Sequence, residues 1–259
     1  MYPDKYAAKN PERAAFIMAS SGQSVSYAEF EMRANRMAHL LCAEGLGQRD
    51  HFSIMMENND RYLEACAAGE RTGLYYTCIN SYLTADELAY ILDNSESQIL
   101  ITSMLKLGVA IDAVAQSNKV RKVLVVDAGA NQLPEGFEDY ATACQSFPVT
   151  PIDNERLGTA MLYSSGTTGR PKGIIRPLPE QPPAEALPIF DFLGQLWHYR
   201  EDMVYLSPAP LYHSAPQAAV NLTIRQGGTV IIMERFDPEA YLSLIEQYTA
   251  THSQLVPTM

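Results

Sequence analysis

The most informative stretch of the chain is residues 160–173, Ala160-Met161-Leu162-Tyr163-Ser164-Ser165-Gly166-Thr167-Thr168-Gly169-Arg170-Pro171-Lys172-Gly173. It begins as an apolar run that predicts a buried strand, and it continues as a loop of hydroxyl side chains and glycines. Glycine lets backbone N–H groups approach a ligand closely, and successive N–H groups of a loop can form a concave anion site. Lys172 adds a compact positive charge. The stretch therefore predicts a polyphosphate site that follows a strand, and ATP is the first ligand to consider.

Two other interpretations of this loop have to be weighed. A loop of serine, glycine and threonine is most often a simple surface turn, because these residues favour turn conformations. A generic kinase or NTPase is disfavoured, because the chain has no Gly-Lys-Ser or Gly-Lys-Thr, the Walker ending that opens a helix. Here Pro171-Lys172-Gly173 closes the loop instead.

Apolar, β-rich runs alternate with helix-forming stretches along the chain. The runs are residues 52–56, 74–79, 98–102, 123–126 and 229–233. Thr84 with Glu87, and Asp237 before Pro238, are start signals for two of the helices. This alternation predicts an α/β fold in which two successive βα blocks form mostly parallel sheets covered by helices.

The segment 127–151 is polar and rich in glycine and proline, which predicts irregular structure. It is the best boundary candidate in the chain. Residues 1–150 are therefore predicted to form a first α/β subdomain. Residues 151–259 are predicted to form a second, truncated α/β subdomain that carries the phosphate loop.

The composition argues against several classes of partner and location. The 259 residues are 47% apolar and 19% charged, with a net charge of −11. This acidic balance argues against a nucleic-acid partner, because nucleic-acid-binding surfaces concentrate Lys and Arg. No apolar run reaches the ~18 residues of a transmembrane segment, and the N-terminus has no apolar core of a signal peptide. Since the four cysteines show neither a close pair nor a metal spacing, a cytoplasmic protein with reduced thiols is predicted.

Residues 163–173 resemble the signature phosphate loop of the acyl-adenylate-forming (AMP-binding) superfamily. That superfamily includes acyl-CoA synthetases, non-ribosomal peptide adenylation domains and firefly luciferase. Ser164 stands where the family more often has threonine, so the hydroxyl is kept. Pro210-Leu211-Tyr212-His213 resembles the motif whose histidine borders the acyl or aryl pocket, and residues 255–259 resemble the segment before the nucleotide-base motif. The likeness covers the whole chain and is strongest to bacterial fatty-acyl and related acyl-CoA synthetases.

The resemblance implies an ATP-dependent acid–thiol ligase, as an enzyme of fatty acid metabolism. A carboxylic acid would react with ATP to give acyl-AMP and pyrophosphate, and coenzyme A would then take the acyl group, with Mg²⁺ bridging phosphate oxygens. The residues that would bind the nucleotide phosphates are Ser164, Ser165, Gly166, Thr167, Thr168, Gly169 and Lys172. Lys172 and His213 would act in catalysis, and a hydroxyl of Thr167 or Thr168 would contact the metal ion.

The sequence also departs from the family. Ile174-Ile175-Arg176-Pro177-Leu178-Pro179 replaces the usual threonine-histidine stretch, which weakens any transfer of substrate preference. The chain ends before the family's magnesium-binding acidic residue, ribose-binding aspartate and C-terminal lysine. We therefore expect an N-terminal portion that is inactive or weakly active alone. The alternatives are an aryl-CoA ligase, an amino-acid adenylation domain, or a non-catalytic nucleotide- or acyl-binding module. The sequence does not determine the acid, the acceptor thiol or the oligomeric state.

Overall fold

A computed structural model describes residues 1–164, 170–185 and 187–259. The helices are α1 (Asp4–Lys9), α2 (Tyr27–Ala43), α3 (Tyr62–Thr72), α4 (Ala85–Asn94), α5 (Leu107–Val114), α6 (Tyr140–Gln145), α7 (Pro188–Leu196), α8 (Ser214–Arg225) and α9 (Pro238–Tyr248). The strands are β1 (Ala14–Met18), β2 (Ser24–Ser26), β3 (His51–Met55), β4 (Tyr75–Cys78), β5 (Ser97–Ser103), β6 (Lys122–Val126), β7 (Phe137–Asp139), β8 (Thr159–Ser164), β9 (Lys172–Ile174), β10 (Val204–Ser207), β11 (Thr229–Ile232) and β12 (His252–Ser253).

The chain divides into two compact units. The first unit comprises residues 1–33, 58–64 and 183–259, and the second comprises residues 34–57 and 65–182. Each unit has its own sheet, so the predicted α/β class, with mostly parallel sheets flanked by helices, is confirmed.

The sheet of the first unit has the strand order β12-β10-β11-β1-β2. Strands β1, β10, β11 and β12 pair in parallel, and β2 returns antiparallel to β1. The central β11 is buried from Val230 to Ile232, as expected for a strand covered on both faces. One face packs against α9 through Leu206, Ile231, Met233 and Leu244.

The sheet of the second unit has the strand order β7-β6-β5-β3-β4-β8-β9. Its pairs are parallel except for the last, where β9 runs antiparallel to β8. Every residue of β4 is buried, and helices α4 and α5 cover one face of the sheet with an apolar cluster that includes Leu88, Leu92, Leu100, Val123 and Val125. The strand that leads into residues 165–169 is therefore held inside a packed sheet.

The helix start signals predicted from sequence form as expected. At α4 the Thr84 backbone amide donates to Glu87 Oε2 at 2.9 Å, and the Glu87 amide donates to Thr84 Oγ1 at 3.4 Å. At α9 the Asp237 carboxylate accepts from the Ala240 amide at 2.8 Å, with Pro238 at the first helical position. Because both signals are local, they do not depend on the tertiary structure.

The segment 127–151 is more ordered than predicted. It contains β7 and α6, and the Asp139 side chain caps α6 by accepting from the Thr142 amide at 2.8 Å. The Asn35 side chain donates to the Val149 carbonyl at 2.8 Å, and His39 Nε2 lies 2.9 Å from the Thr150 carbonyl. These contacts lie within the second unit. The two compact units therefore do not follow the predicted boundary near residue 150, because β1 and β2 pair in the same sheet as β10 and β11.

No helix among the described residues is both long enough and apolar enough to cross a membrane.

Candidate active site

The stem of the predicted phosphate loop is the antiparallel pair β8–β9. Ser164, the last residue of β8, lies opposite Lys172, the first residue of β9. The two side chains are exposed, and the sequence between them is the loop. Residues at the carboxyl end of a strand in an open α/β sheet are where ligands bind. The structure thus places two of the predicted phosphate-binding residues together, facing solvent at a strand end.

Several predicted residues lie outside the described part of the chain: Ser165, Gly166, Thr167, Thr168 and Gly169. Their assignment to phosphate binding, and that of Thr167 and Thr168 to a metal ion, remain predictions. Ser164 and Lys172 are the members of the predicted set that the structure describes.

Lys172 is available for a ligand. Its ammonium group forms no ion pair with any side chain in residues 1–164, 170–185 and 187–259. Two other lysines of the same unit form ion pairs, Lys119 with Glu96 at 3.5 Å and Lys122 with Glu44 at 2.5 Å. An exposed ammonium beside a hydroxyl is suited to contact a phosphate oxygen.

Gly173 allows the two strands of the stem to approach each other. It lies opposite Tyr163, and a Cβ at this position would lie 3.0 Å from Cζ of the Tyr163 ring and 2.3 Å from Cε of Met161. A side chain here would displace an aromatic ring that packs on the core cluster under α4. The packing of the stem therefore requires a glycine in the Pro-Lys-Gly sequence, whether or not a ligand binds.

His213 lies in the first unit, whereas the loop stem lies in the second. It is the residue before α8, with extended backbone angles of φ −79° and ψ 143°. Its ring is exposed and packs against Tyr212, with the ring centroids 4.3 Å apart. Partial burial lowers the pKa of the imidazole below its ordinary value, which favours the neutral form. A neutral ring can donate or accept a hydrogen bond near neutral pH.

The segment that carries His213 is held by a residue that no sequence motif marks. Asn58 is buried, and its Oδ1 accepts from the Leu211 amide at 2.9 Å. Its Nδ2 donates to the carbonyls of Ala209 and Met233, at 3.2 and 2.9 Å. One side chain thus satisfies backbone groups after β10 and after β11, which fixes the path of Pro210-Leu211-Tyr212-His213.

A cavity of about 660 Å³ lies within the first unit. Apolar and aromatic side chains line much of it: Leu196, Trp197, Tyr199, Tyr205, Ala219 and Leu255. His213 does not line it, but Ala219 on α8 follows His213 by six residues, which is roughly 9 Å along a helix. This volume lies within the range of small-molecule sites, and its walls suit an apolar or aromatic group.

The described residues do not form a metal centre. In residues 1–164, 170–185 and 187–259 no three side chains of His, Cys, Asp or Glu are grouped so that they could hold an ion. Mg²⁺ is usually held by one or two protein oxygens together with substrate phosphates, not by a cage of side chains.

The α/β fold and the loop stem fit the class of protein that the sequence resembles, and a comparison with known families agrees with that class. The model of the AMP-binding enzyme family matches residues 3–259. The chain belongs to the AMP-binding enzyme family. This confirms the resemblance inferred from residues 163–173.

Similar proteins of this family are CoA ligases. The chain is 26% identical over 247 residues to 4-coumarate–CoA ligase 1 of Petroselinum crispum, covering 95% of this chain and 45% of that protein. It is 26% identical over 257 residues to the long-chain-fatty-acid–CoA ligase FadD13 of Mycobacterium tuberculosis, covering 98% of this chain and 48% of that protein. The chain therefore spans about half the length of the curated relatives it matches.

A solved structure has the same fold over the entire chain. ATP-bound MatB from Rhodopseudomonas palustris superposes with a TM-score of 0.76 at 28% sequence identity, covering 100% of this chain and 50% of that one.

Proposed function

We propose that this protein acts in an ATP-dependent acid–CoA ligase. The observation that carries the proposal is that Ser164 lies opposite Lys172 at the mouth of the loop, with no ion pair from Lys172 to any described side chain, in a chain that belongs to the AMP-binding enzyme family. MatB, which has the same fold, is known in an ATP-bound form. The proposed co-substrates are a small-molecule carboxylic acid, ATP and coenzyme A. We also propose a cytoplasmic location, where ATP and coenzyme A are available.

The proposed reaction has two steps. In the first, a carboxylate oxygen attacks the α-phosphorus of ATP, and pyrophosphate leaves. In the second, the thiol of coenzyme A gives up its proton and attacks the acyl carbon, and AMP leaves. The first step depends on alignment and on stabilisation of phosphate charge, since no protein nucleophile is needed.

The chain's own residues would supply that stabilisation locally. Because the net charge is −11, the overall field of the chain repels anionic substrates, and nearby donors have to offset it. We propose that the Ser164 hydroxyl and the Lys172 ammonium contact β- and γ-phosphate oxygens, together with Ser165, Gly166, Thr167, Thr168 and Gly169. We propose that the hydroxyl of Thr167 or Thr168 would contact a Mg²⁺ ion bound with the nucleotide.

His213 is proposed to orient the carboxylate of the acid. Its lowered pKa keeps the imidazole neutral near pH 7, so it would bind by a hydrogen bond instead of by charge. Asn58 would set the position of this ring through the Leu211 amide. The cavity lined by Trp197, Tyr205 and Ala219 is the candidate binding site for the body of the acid. Because part of its lining is aromatic, we propose aryl acids as substrates alongside fatty acids.

The test is acid-dependent ATP–pyrophosphate exchange by the product of the full reading frame, beside residues 1–259 alone. The panel contains fatty, aromatic and amino acids, and Lys172→Ala is the negative control. Exchange with one acid class, lost in the variant, would support the ligase and identify its substrate class. Absence of exchange across the panel, together with ATP binding in calorimetry, would favour a nucleotide-binding module instead.

A further inference from the structure

Helix α4 contacts the loop stem through two side chains that lie one turn apart. Tyr90 and Asn94 are four residues apart, so they project from the same face of the helix. The helix itself is firmly placed. Its N-terminus has the Thr84–Glu87 capping box, and Leu88 and Leu92 are buried in the core cluster of the second unit.

Tyr90 contacts the end of the loop that returns to β9. Its hydroxyl donates to the Pro171 carbonyl with an oxygen–oxygen distance of 3.2 Å. The guanidinium carbon of Arg170 lies 5.1 Å from the centroid of its ring, within the range of a cation–π interaction. A single side chain thus holds two consecutive residues by two different interactions.

Asn94 contacts the end of the loop that leaves β8. The Tyr163 hydroxyl donates to Asn94 Oδ1 at 2.7 Å. Tyr163 precedes the loop and Pro171 follows it, so one face of α4 holds both ends.

The stem needs support from outside. Strand β9 has only three residues and lies at the edge of its sheet, so among the described strands it pairs with β8 alone. Beyond β9 the Tyr75 hydroxyl donates to the Arg176 carbonyl at 2.7 Å, which fixes the exit of the chain. The contacts from Tyr90 and Asn94 fix the entry and return of the loop itself.

We propose that Tyr90 is a positioning residue for the phosphate loop. Its ring and hydroxyl hold Arg170 and Pro171 before a nucleotide binds, while Asn94 holds the other end through Tyr163. The consequence for nucleotide affinity rests on the proposed function, but the effect on the stem does not. Loss of Tyr90 loosens β9, and Lys172 is then no longer held opposite Ser164.

Trypsin cleavage at the Lys172–Gly173 bond measures the stem directly, because cleavage requires β9 to detach from β8. Tyr90→Leu removes both interactions and is expected to raise the cleavage rate about tenfold, as judged by mass spectrometry. Tyr90→Phe keeps the ring and should raise the rate about threefold or less. Thermal unfolding of each variant shows whether the fold is intact.

Tyr82→Leu is the matched control. Tyr82 also has a cation over its ring, with the Lys106 ammonium 5.1 Å from the centroid, but it is 76% exposed and outside the stem. Its loss should leave cleavage at Lys172–Gly173 unchanged. If Tyr90→Leu destabilises the fold, Arg170→Gln removes the cation partner without touching the core and should accelerate cleavage. Wild-type cleavage rates in both Tyr90→Leu and Arg170→Gln would overturn the proposal.

A second readout separates this inference from the proposed ligase activity. In the exchange assay Tyr90→Leu should raise the KM for ATP about tenfold and leave the KM for the acid unchanged. Faster cleavage, with no exchange even in the wild-type product of the full reading frame, would support the positioning role and refute the ligase. Normal cleavage with normal ATP kinetics in the variant would refute the positioning role and leave the ligase standing.

Discussion

The Leu211 backbone amide donates a 2.9 Å hydrogen bond to Oδ1 of Asn58, a residue 153 positions earlier in the chain. The same side chain donates to the Ala209 and Met233 carbonyls. Three backbone groups that would otherwise be buried without partners are satisfied by one amide, which has both the donor and the acceptor that they need. The position of His213 therefore depends on Asn58.

Asn58→Asp should destabilise the protein and disturb acid binding. An aspartate can still accept from Leu211, but the two carbonyls lose their donor and face a negative charge. We expect a loss of about 2–4 kcal/mol in the free energy of unfolding, measured with urea at pH 7. The KM for the acid should rise more than that for ATP. Asn59→Asp is the control, because the Asn59 Nδ2 has no hydrogen-bond partner among the described residues. Equal losses in the two variants would contradict the role given to Asn58.

Lys172→Ala should lower kcat/KM for pyrophosphate exchange by ~10²-fold, the cost of removing one charged donor from a phosphate site. The fold should be unaffected, because the ammonium pairs with no described side chain. Lys119→Ala is the control. Lys119 is also an exposed lysine of the second unit, and it only makes a 3.5 Å contact with Glu96. Unchanged exchange in Lys172→Ala would remove this residue from the site.

Gly158→Ala should destabilise the second unit by about 3 kcal/mol through overpacking. A Cβ at Gly158 would lie 2.1 Å from the Gly69 carbonyl oxygen and 2.5 Å from that of Leu74, and neither backbone atom can move freely. Gly158 directly precedes β8, so exchange activity should fall along with stability. Gly108→Ala is the control, since nothing lies within 4 Å of the added methyl group. A wild-type melting temperature for Gly158→Ala would show that this backbone contact is looser than described.

His213 should titrate below its ordinary range. Partial burial lowers its pKa in the folded protein below the ordinary value of 6.5, so between these two pKa values the folded state holds fewer protons than the unfolded state. Stability should therefore be complete above about pH 6.5 and should fall as the pH drops towards the folded pKa. Titration by NMR, with the signal assigned by its loss in His213→Gln, gives the midpoint.

His51 has to be separated in that titration. Burial lowers its pKa as well, opposed by the nearby charges of Glu96 and Asp50. Its ring stacks on Tyr75 with the centroids 4.8 Å apart, so ring-current shifts distinguish it from His213. A midpoint of about 6.5 or higher for His213 would contradict the lowering of its pKa by burial.

Local signals were predictable from the sequence, and pairings between distant segments were not. The Thr84–Glu87 box and the apolar strand into Ser164 are encoded within a few residues, and the structure forms both. Strand β9 was not predicted, because Lys-Gly-Ile has no alternation to mark it. It forms because Gly173 accommodates the Tyr163 ring and Tyr90 holds Pro171, contacts that no short window of sequence contains.

The candidate site was predictable to the same extent. Residues of the motifs themselves, Lys172 and His213, stand out by their neighbours in sequence. The residues that hold Lys172 and His213 in position do not stand out in the sequence. Asn58 lies between a strand and a helix with no motif around it, and Tyr90 and Asn94 read as ordinary positions on an amphipathic helix. The contacts of Tyr90 and Asn94 arise only when α4 packs against β8 and β9, and those of Asn58 arise only when the segments after β10 and β11 come together.

The parallel pairing of β1 with β11 has a consequence for synthesis of the chain. Met18 lies beside Ile232, so the N-terminal strand leaves the ribosome more than 200 residues before its partner exists. At ordinary elongation rates that interval is roughly 10–40 s. During this time β1 can pair with β2 but lacks β11, its parallel neighbour, while the strands of residues 51–126 can already pair with one another. The second unit can thus begin to fold first, and the sheet of the first unit is completed only after β11 has been synthesised.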